Sequence, residues 1–189
     1  FPTRRSSDLL PAPLLSLEQA LSGGRNVMIM NGIGSGKTTL MAQFASRILE
    51  GKSRLEDFNN LLPVFINISD LDYQSETSQN LLDQITKQLH EIEPKINPDI
   101  LSVILKRSLS GKSLLLLLDG LDELPPDLFH RAVIFIGSIC KQYPDLKIVI
   151  ATGPYYAGDL YKIGFADLSI QVPTPFQRIE LVEVWNRAW

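Results

Sequence analysis

The chain reads as an α/β fold in which a five-stranded parallel sheet lies between layers of helices. Three observations predict it. Segments such as Val27-Met28-Ile29-Met30, Leu114–Leu118 and Lys147–Ala151 are apolar on both alternating faces, the pattern of strands covered on two sides. Stretches with helical spacing of apolar residues alternate with them along the chain. Finally, 189 residues with 44% hydrophobic content supply one compact domain with a sizeable core and leave no room for a second complete one.

Taken in order, the first nine residues stand apart. Phe1-Pro2-Thr3-Arg4-Arg5-Ser6-Ser7-Asp8-Leu9 is the translation of TTC CCT ACA CGA CGC TCT TCC GAT CT, which resembles a common sequencing adapter, so residues 1–9 are expected to be an artefact rather than structure. Leu14 to Leu21 reads as a short helix closed by Gly23-Gly24, and Asn26–Met30 as the first strand. After a glycine-rich turn, Leu40, Met41, Phe44, Ala45, Ile48 and Leu49 mark one helical face that Gly51 stops. Leu62–Ile68 is the second strand. Leu81, Leu82, Ile85, Leu89 and Ile92 define a helix, and Leu101, Ile104 and Leu105 another, with Pro94 and Pro98 separating them. Ser113–Asp119 is a third strand, Asp127–Gln142 a helix with a wide apolar face, Lys147–Ala151 a fourth strand and Leu168–Val172 a fifth. The expected boundaries are a core over 10–172 and, from 173 to 189, the truncated start of a helical lid; Trp185 and Trp189, one turn apart, would face an absent partner helix.

The turn after the first strand is Asn31-Gly32-Ile33-Gly34-Ser35-Gly36-Lys37-Thr38, with Thr39 following inside the helix. Glycines let backbone N–H groups turn inward around phosphate oxygens, and a helix N-terminus adds partial positive charge. Lys37 would reach the β- and γ-phosphates of a nucleoside triphosphate, and the Thr38 hydroxyl would ligate Mg²⁺. The tripeptide Gly-Lys-Ser/Thr alone decides nothing, because it recurs at Gly51-Lys52-Ser53 and Gly111-Lys112-Ser113. Only Lys37 has a strand before it and a helix after it; Lys52 and Lys112 read as solvated turn lysines. Asn31 stands where the G-x-x-x-x-G-K-[ST] pattern has glycine, a departure Asn can absorb through its tolerance of positive φ. Downstream, Leu114–Leu118 runs into Asp119-Gly120-Leu121-Asp122-Glu123, a buried strand ending in carboxylates, where Asp119 would hold the metal through its water shell.

Composition excludes other classes. Net charge is −3, or −4 without Arg4, Arg5 and Asp8, which is no nucleic-acid footprint. The longest apolar runs fall far short of the roughly 20 residues that span a bilayer, so no membrane segment is expected. A single cysteine, Cys140, excludes an internal disulfide, fits a reducing cytoplasm and lies in an apolar helical stretch where packing is its expected role. His90 and His130 are isolated, without zinc-ligand spacing.

Leu117-Leu118-Asp119-Gly120-Leu121-Asp122-Glu123-Leu124 resembles the Walker B segment of NACHT domains, in which a small residue follows the metal-binding Asp and an acidic pair comes just after. Gly34-Ser35-Gly36-Lys37-Thr38-Thr39-Leu40 and the Leu62-Pro63-Val64-Phe65-Ile66 strand are also similar to NACHT NTPases, a branch of the STAND signalling ATPases. The resemblance runs from about Arg25 to Trp189. It implies a P-loop NTPase three-layer α/β/α sandwich with strand order 5-1-4-3-2, ATP or GTP bound with Mg²⁺ at the C-terminal strand ends, and a prokaryotic switch that forms homo-oligomers when a sensor region detects its trigger. On that basis Glu123 would orient or deprotonate the attacking water, with Asp122 as second candidate; the alternative for both is a solvated turn before Pro125-Pro126. NACHT domains commonly carry a Thr-Ser-Arg-like triplet after the fourth strand, whereas this chain has Ala151-Thr152-Gly153-Pro154: Thr152 would keep a polar sensor role, and the arginine is missing at Gly153. Tyr155 and Tyr156 beside it would either stack on a base or pack.

The expected function is ATP or GTP binding with slow hydrolysis as a regulatory switch, in defence or stress signalling. Its rivals are an AAA+-like motor or initiator ATPase, which needs a catalytic Glu where Gly120 stands, and a non-hydrolysing nucleotide-binding scaffold. A small-molecule kinase is weaker, since no Arg-rich lid is visible.

Overall fold

The computed structural model describes residues 14–73, 81–171 and 174–188, with the side chains of 180, 181 and 184–188 left aside. In chain order the elements are α1 (Leu17–Ser22), β1 (Val27–Met30), α2 (Lys37–Leu49), β2 (Leu62–Asn67), α3 (Leu81–Ile92), α4 (Pro98–Ser110), β3 (Leu114–Asp119), α5 (Pro126–Gln142), β4 (Lys147–Thr152), α6 (Ala157–Lys162), β5 (Ala166–Ser169) and α7 (Pro175–Ala188). The five strands form one sheet in the order β2-β3-β4-β1-β5, the expected 5-1-4-3-2 order written from its other edge, and every pairing is parallel.

Alternation along the strands divides the core into two layers. Leu114, Leu116 and Leu118 of β3, with Met28, Val64, Ile66, Ile148 and Ile150, pack against Ile85 of α3, Leu105 of α4 and Ala132, Phe135, Ile136 and Ile139 of α5. Leu115 and Leu117, with Val27, Ile29, Val149 and Ala151, pack on the other side against Leu17 and Leu21 of α1 and Met41, Phe44 and Ile48 of α2. Burial on both faces of the central strands accounts for their uninterrupted apolar runs. The helices carry local signals that start them. Ser16 caps α1 in a reciprocal pair with Gln19, and Asn97 caps α4, where Pro98 occupies the first turn at no cost in lost N–H bonds.

Several expectations are corrected. Helix α1 starts at Leu17 rather than Leu14, and Ile92 of α3 and Ile104 of α4 follow helical spacing yet are exposed. The fifth strand is Ala166–Ser169 rather than Leu168–Val172. It is an edge strand with alternating exposure, so the apolar run does not mark it; its position is set by pairing with β1, where the Ala166 N–H donates to the Asn26 carbonyl at 2.8 Å. The second strand stops at Asn67, and Ile68 begins a short 3₁₀ turn through Asp70. On α2, Leu40 and Leu49 are exposed, and Met41, Phe44 and Ile48 fill the core face with Ala45 partly buried beside them, because α2 lies on the sheet along a narrower stripe than the sequence suggests. Helix α6 was not foreseen, being six residues with a single Leu160 and Ala157 inward. Lys52 and Lys112 are exposed turn lysines, paired with Glu50 at 2.7 Å and Asp145 at 2.9 Å. Cys140 is half-buried beside Asn26, and burial raises its thiol pKa. Among the described residues no helix is long and apolar enough to cross a membrane, and no His, Cys, Asp or Glu cluster has metal-site geometry of its own. Residues 1–9 and Trp189 lie outside the described residues, as does the Trp185 side chain.

Candidate functional site

The site forms where the C-terminal ends of β1 and β3 meet the N-terminus of α2. From Met30 the chain turns through Asn31, whose N–H donates to the Thr152 carbonyl at 3.3 Å, tying the loop to the end of β4. The Asn31 side chain accepts from the Gly32 N–H at 3.0 Å and donates to the Ile170 carbonyl at 3.0 Å. Asn31 does not adopt positive φ, so its replacement of glycine needs no conformational tolerance; Gly34 and Gly36, at φ 74° and 89°, make the left-handed turns that an L side chain resists. Gly36 starts α2 with no side-chain cap, so the first N–H groups of a thirteen-residue helix open directly into the cleft.

That cleft, about 360 Å³, is lined by Ile33 through Thr39 and by Asp119, Asp122 and Glu123. Lys37 is 8% exposed, and its Nζ donates to the carbonyls of Asn31 at 3.0 Å and Gly32 at 3.2 Å while lying 3.4 Å from Asp122 Oδ2. Thr38 Oγ1 donates to Asp119 Oδ2 at 2.6 Å, and Asp119 Oδ1 accepts from the Gly120 N–H at 3.0 Å. Gly120, at φ 79°, then turns the chain into the 3₁₀ segment Leu121–Glu123. Leu121 and Leu124 anchor that segment in the core, leaving Asp122 and Glu123 toward the cleft. Glu123 is exposed, whereas Asp122 faces Lys37.

The residues suit a magnesium–triphosphate group. Thr38 and Asp119 present hard oxygen ligands side by side, the donor type magnesium takes, and Lys37 supplies a buried cation. Ser35 Oγ, in the same loop, is a buried side-chain oxygen without a hydrogen-bond partner, so the loop holds an unused donor where phosphate oxygens would accept.

Of the expected residues, those from Ile33 to Thr39 and Asp119, Asp122 and Glu123 share the cleft, with Asn31 and Gly32 behind it as acceptors for Lys37. Thr152 lies elsewhere: it is fully buried, its hydroxyl donates at 3.5 Å to the Gly153 carbonyl, and it meets the loop through its own carbonyl. Tyr156 packs on Phe129, with ring centroids 4.6 Å apart, and Tyr155 is 96% exposed. One residue has no part in the sequence reading: Asn67 ends β2 opposite Asp119 and abuts Gly120. A polar residue closing an apolar strand is the signal that could have found it. Gly153, read in the sequence only as the place of the missing arginine, packs against Asp122, a contact that only the fold brings about.

A parallel sheet with this strand order, a glycine-rich loop opening α2 and an acidic strand end facing it define a nucleotide-binding P-loop NTPase domain. A family profile described as "NACHT domain" matches residues 26–184, and the chain belongs to that family. No curated protein matches the sequence. Among solved structures, the chain is similar to the Aeropyrum pernix ORC2 protein, described as ADPNP-ADP complexes, at 15% identity and TM-score 0.51 over 95% of this chain and 54% of that one. It is also similar to C. elegans PCH-2 at 15% identity and TM-score 0.47, over 85% of this chain and 41% of that one. The chain thus spans about half the length of these solved chains.

Proposed function

We propose that the chain is the nucleotide switch of a prokaryotic STAND-type signalling protein, binding Mg-ATP or Mg-GTP and hydrolysing it slowly, in defence or stress signalling within the cytoplasm. The observation that carries the reading is the convergence of Lys37, Thr38, Asp119 and Glu123 on one cleft at an uncapped helix N-terminus. Bound magnesium would offset phosphate charge as it transfers. Thr38 and Asp119 would hold it, Lys37 and the amides of Gly34 to Thr39 would hold phosphate oxygens, and Glu123, exposed and unengaged by Lys37, would orient the attacking water; Asp122 is the second candidate. Residues 10–172 would form the nucleotide core and 173–189 the start of a helical lid, with activation by homo-oligomerisation through other parts of the protein.

Gly120 weighs against an AAA+-like motor. A side chain there would place its Cβ 2.8 Å from Asn67 Oδ1 on a left-handed backbone, so a catalytic Glu directly after Asp119 does not fit. A non-hydrolysing scaffold is favoured by one feature: among the described residues no arginine lines the cleft. The test of the nucleotide site is Lys37→Ala. Mg-ATP at about a hundredfold over Kd should stabilise the wild type by about 2.7 kcal/mol and the variant by almost nothing. Equal thermal shifts in both proteins would refute the assignment.

A further inference from the structure

Asp122 is placed as no water-activating acid needs to be. Its Oδ2 lies 3.4 Å from Lys37 Nζ, and the two side chains are only 14% and 9% exposed. A pair this shielded from solvent is weakly screened, unlike the surface pairs at Lys52 and Lys112. Lys37 donates otherwise only to the two loop carbonyls of Asn31 and Gly32, so among the described residues Asp122 is the sole anion against the ammonium. Two features hold it there. Leu121, fully buried, fixes the turn that carries Asp122. Opposite, Gly153 supplies room: a Cβ on it would come within 3.3 Å of Asp122 Oδ2 and 3.4 Å of Asp122 Cβ. The Gly153 backbone, at φ −83° and ψ 161°, is open to any residue, so the small side of this contact is needed for space rather than for conformation.

We propose that Asp122 is a built-in competitor of the nucleotide: it holds Lys37 as its counterion, and phosphate binds only by taking the ammonium over. The inference rests on Lys37 being the phosphate-binding lysine. An anionic phosphate and the Asp122 carboxylate cannot both be the main partner of one cation, and two anions brought side by side repel. Lys37 engaged by Asp122 is a competing state that lowers apparent affinity by the fraction of time Lys37 is free. Asp122 is thereby a positioning residue that sets the threshold nucleotide concentration of the switch, and Gly153 is the residue that lets it do so. The loop carbonyls stay in place in every variant and drop out of the comparison.

The experiment measures equilibrium binding of Mg-bound fluorescent ATP analogue and nucleotide-free thermal unfolding on the same preparations of the chain. Asp122→Asn keeps the shape and removes the charge; it should tighten Kd about tenfold and lower the nucleotide-free melting temperature, two changes of opposite benefit that a merely structural role would not produce. Gly153→Ala should crowd Asp122 off Lys37 and tighten Kd by a smaller factor, about twofold to threefold. Asp127→Asn on α5, which removes the same charge away from the cleft, should leave Kd within about twofold. Wild-type binding together with unchanged or weaker binding by Asp122→Asn would overturn the proposal while leaving the nucleotide site intact. No binding by the wild type would overturn the nucleotide reading and this inference with it.

Discussion

Replacing Gly120 by alanine tests the geometry that separates Asp119, at the end of β3, from the acidic pair after it. Two costs can be worked from the structure. The backbone at φ 79° is left-handed, which penalises an L side chain by about 1–2 kcal/mol. The new methyl would also sit 2.8 Å from Asn67 Oδ1, an atom that cannot simply swing aside because it accepts from the Ser69 N–H at 3.0 Å and the Ser69 hydroxyl at 2.8 Å. Disturbing those bonds adds about 1 kcal/mol, for a total of about 2–3 kcal/mol. In a domain of this size that lowers the melting temperature by about 5–10 °C. Urea unfolding of wild type, Gly120→Ala, Asn67→Ala and the double variant would partition the loss. In the Asn67→Ala background the glycine substitution should cost only its backbone share of about 1–2 kcal/mol. A loss below about 0.5 kcal/mol for Gly120→Ala, or full additivity in the double variant, would refute the reasoning.

Asp119→Asn should weaken the magnesium dependence of nucleotide binding, while Glu123→Gln should leave binding intact and suppress hydrolysis; wild-type turnover by Glu123→Gln would move the acid elsewhere. If hydrolysis proceeds without an arginine, as the described cleft residues suggest, a contribution worth roughly 10³–10⁵ in rate would be absent, and single-turnover hydrolysis should run well below about one per second. Fast turnover independent of protein concentration would contradict this, and a steep rise with concentration would point to an arginine from a neighbouring copy. Burial, reinforced by Asp70, raises the Tyr73 phenol above its ordinary value. The folded state therefore keeps the proton longer than the unfolded chain, so stability is full below about pH 10 and falls as pH rises past it. Tyr73→Phe should remove that part of the alkaline loss, read as a shallower fall in unfolding free energy between pH 9 and 11; an unchanged slope would refute the linkage.

Much of this protein was determined by short-range signals. Apolar runs at Leu114–Leu118 and Val27–Met30 state burial on both faces, and that burial forces a parallel sheet covered by helices, because only such a sheet hides both sides of its strands. That the loop from Asn31 to Thr38 lies between a strand and a helix, and that Asp119 ends a buried strand, was equally legible, since glycines before a helix pattern and an acid closing an apolar run are local signals. What lay beyond the sequence depends on contacts between segments far apart in the chain. The edge strand Ala166–Ser169 takes its register from β1 and not from its own pattern, and Leu40 and Leu49 carry a helical period yet face solvent because of how α2 sits on the sheet. The two acids after Gly120 look alike in sequence, and Thr152 looks available to the site. The tertiary structure alone turns Asp122 onto Lys37, leaves Glu123 exposed, buries Thr152 in the strand and brings Gly153 against Asp122, because each of these outcomes is fixed by which strand ends become neighbours.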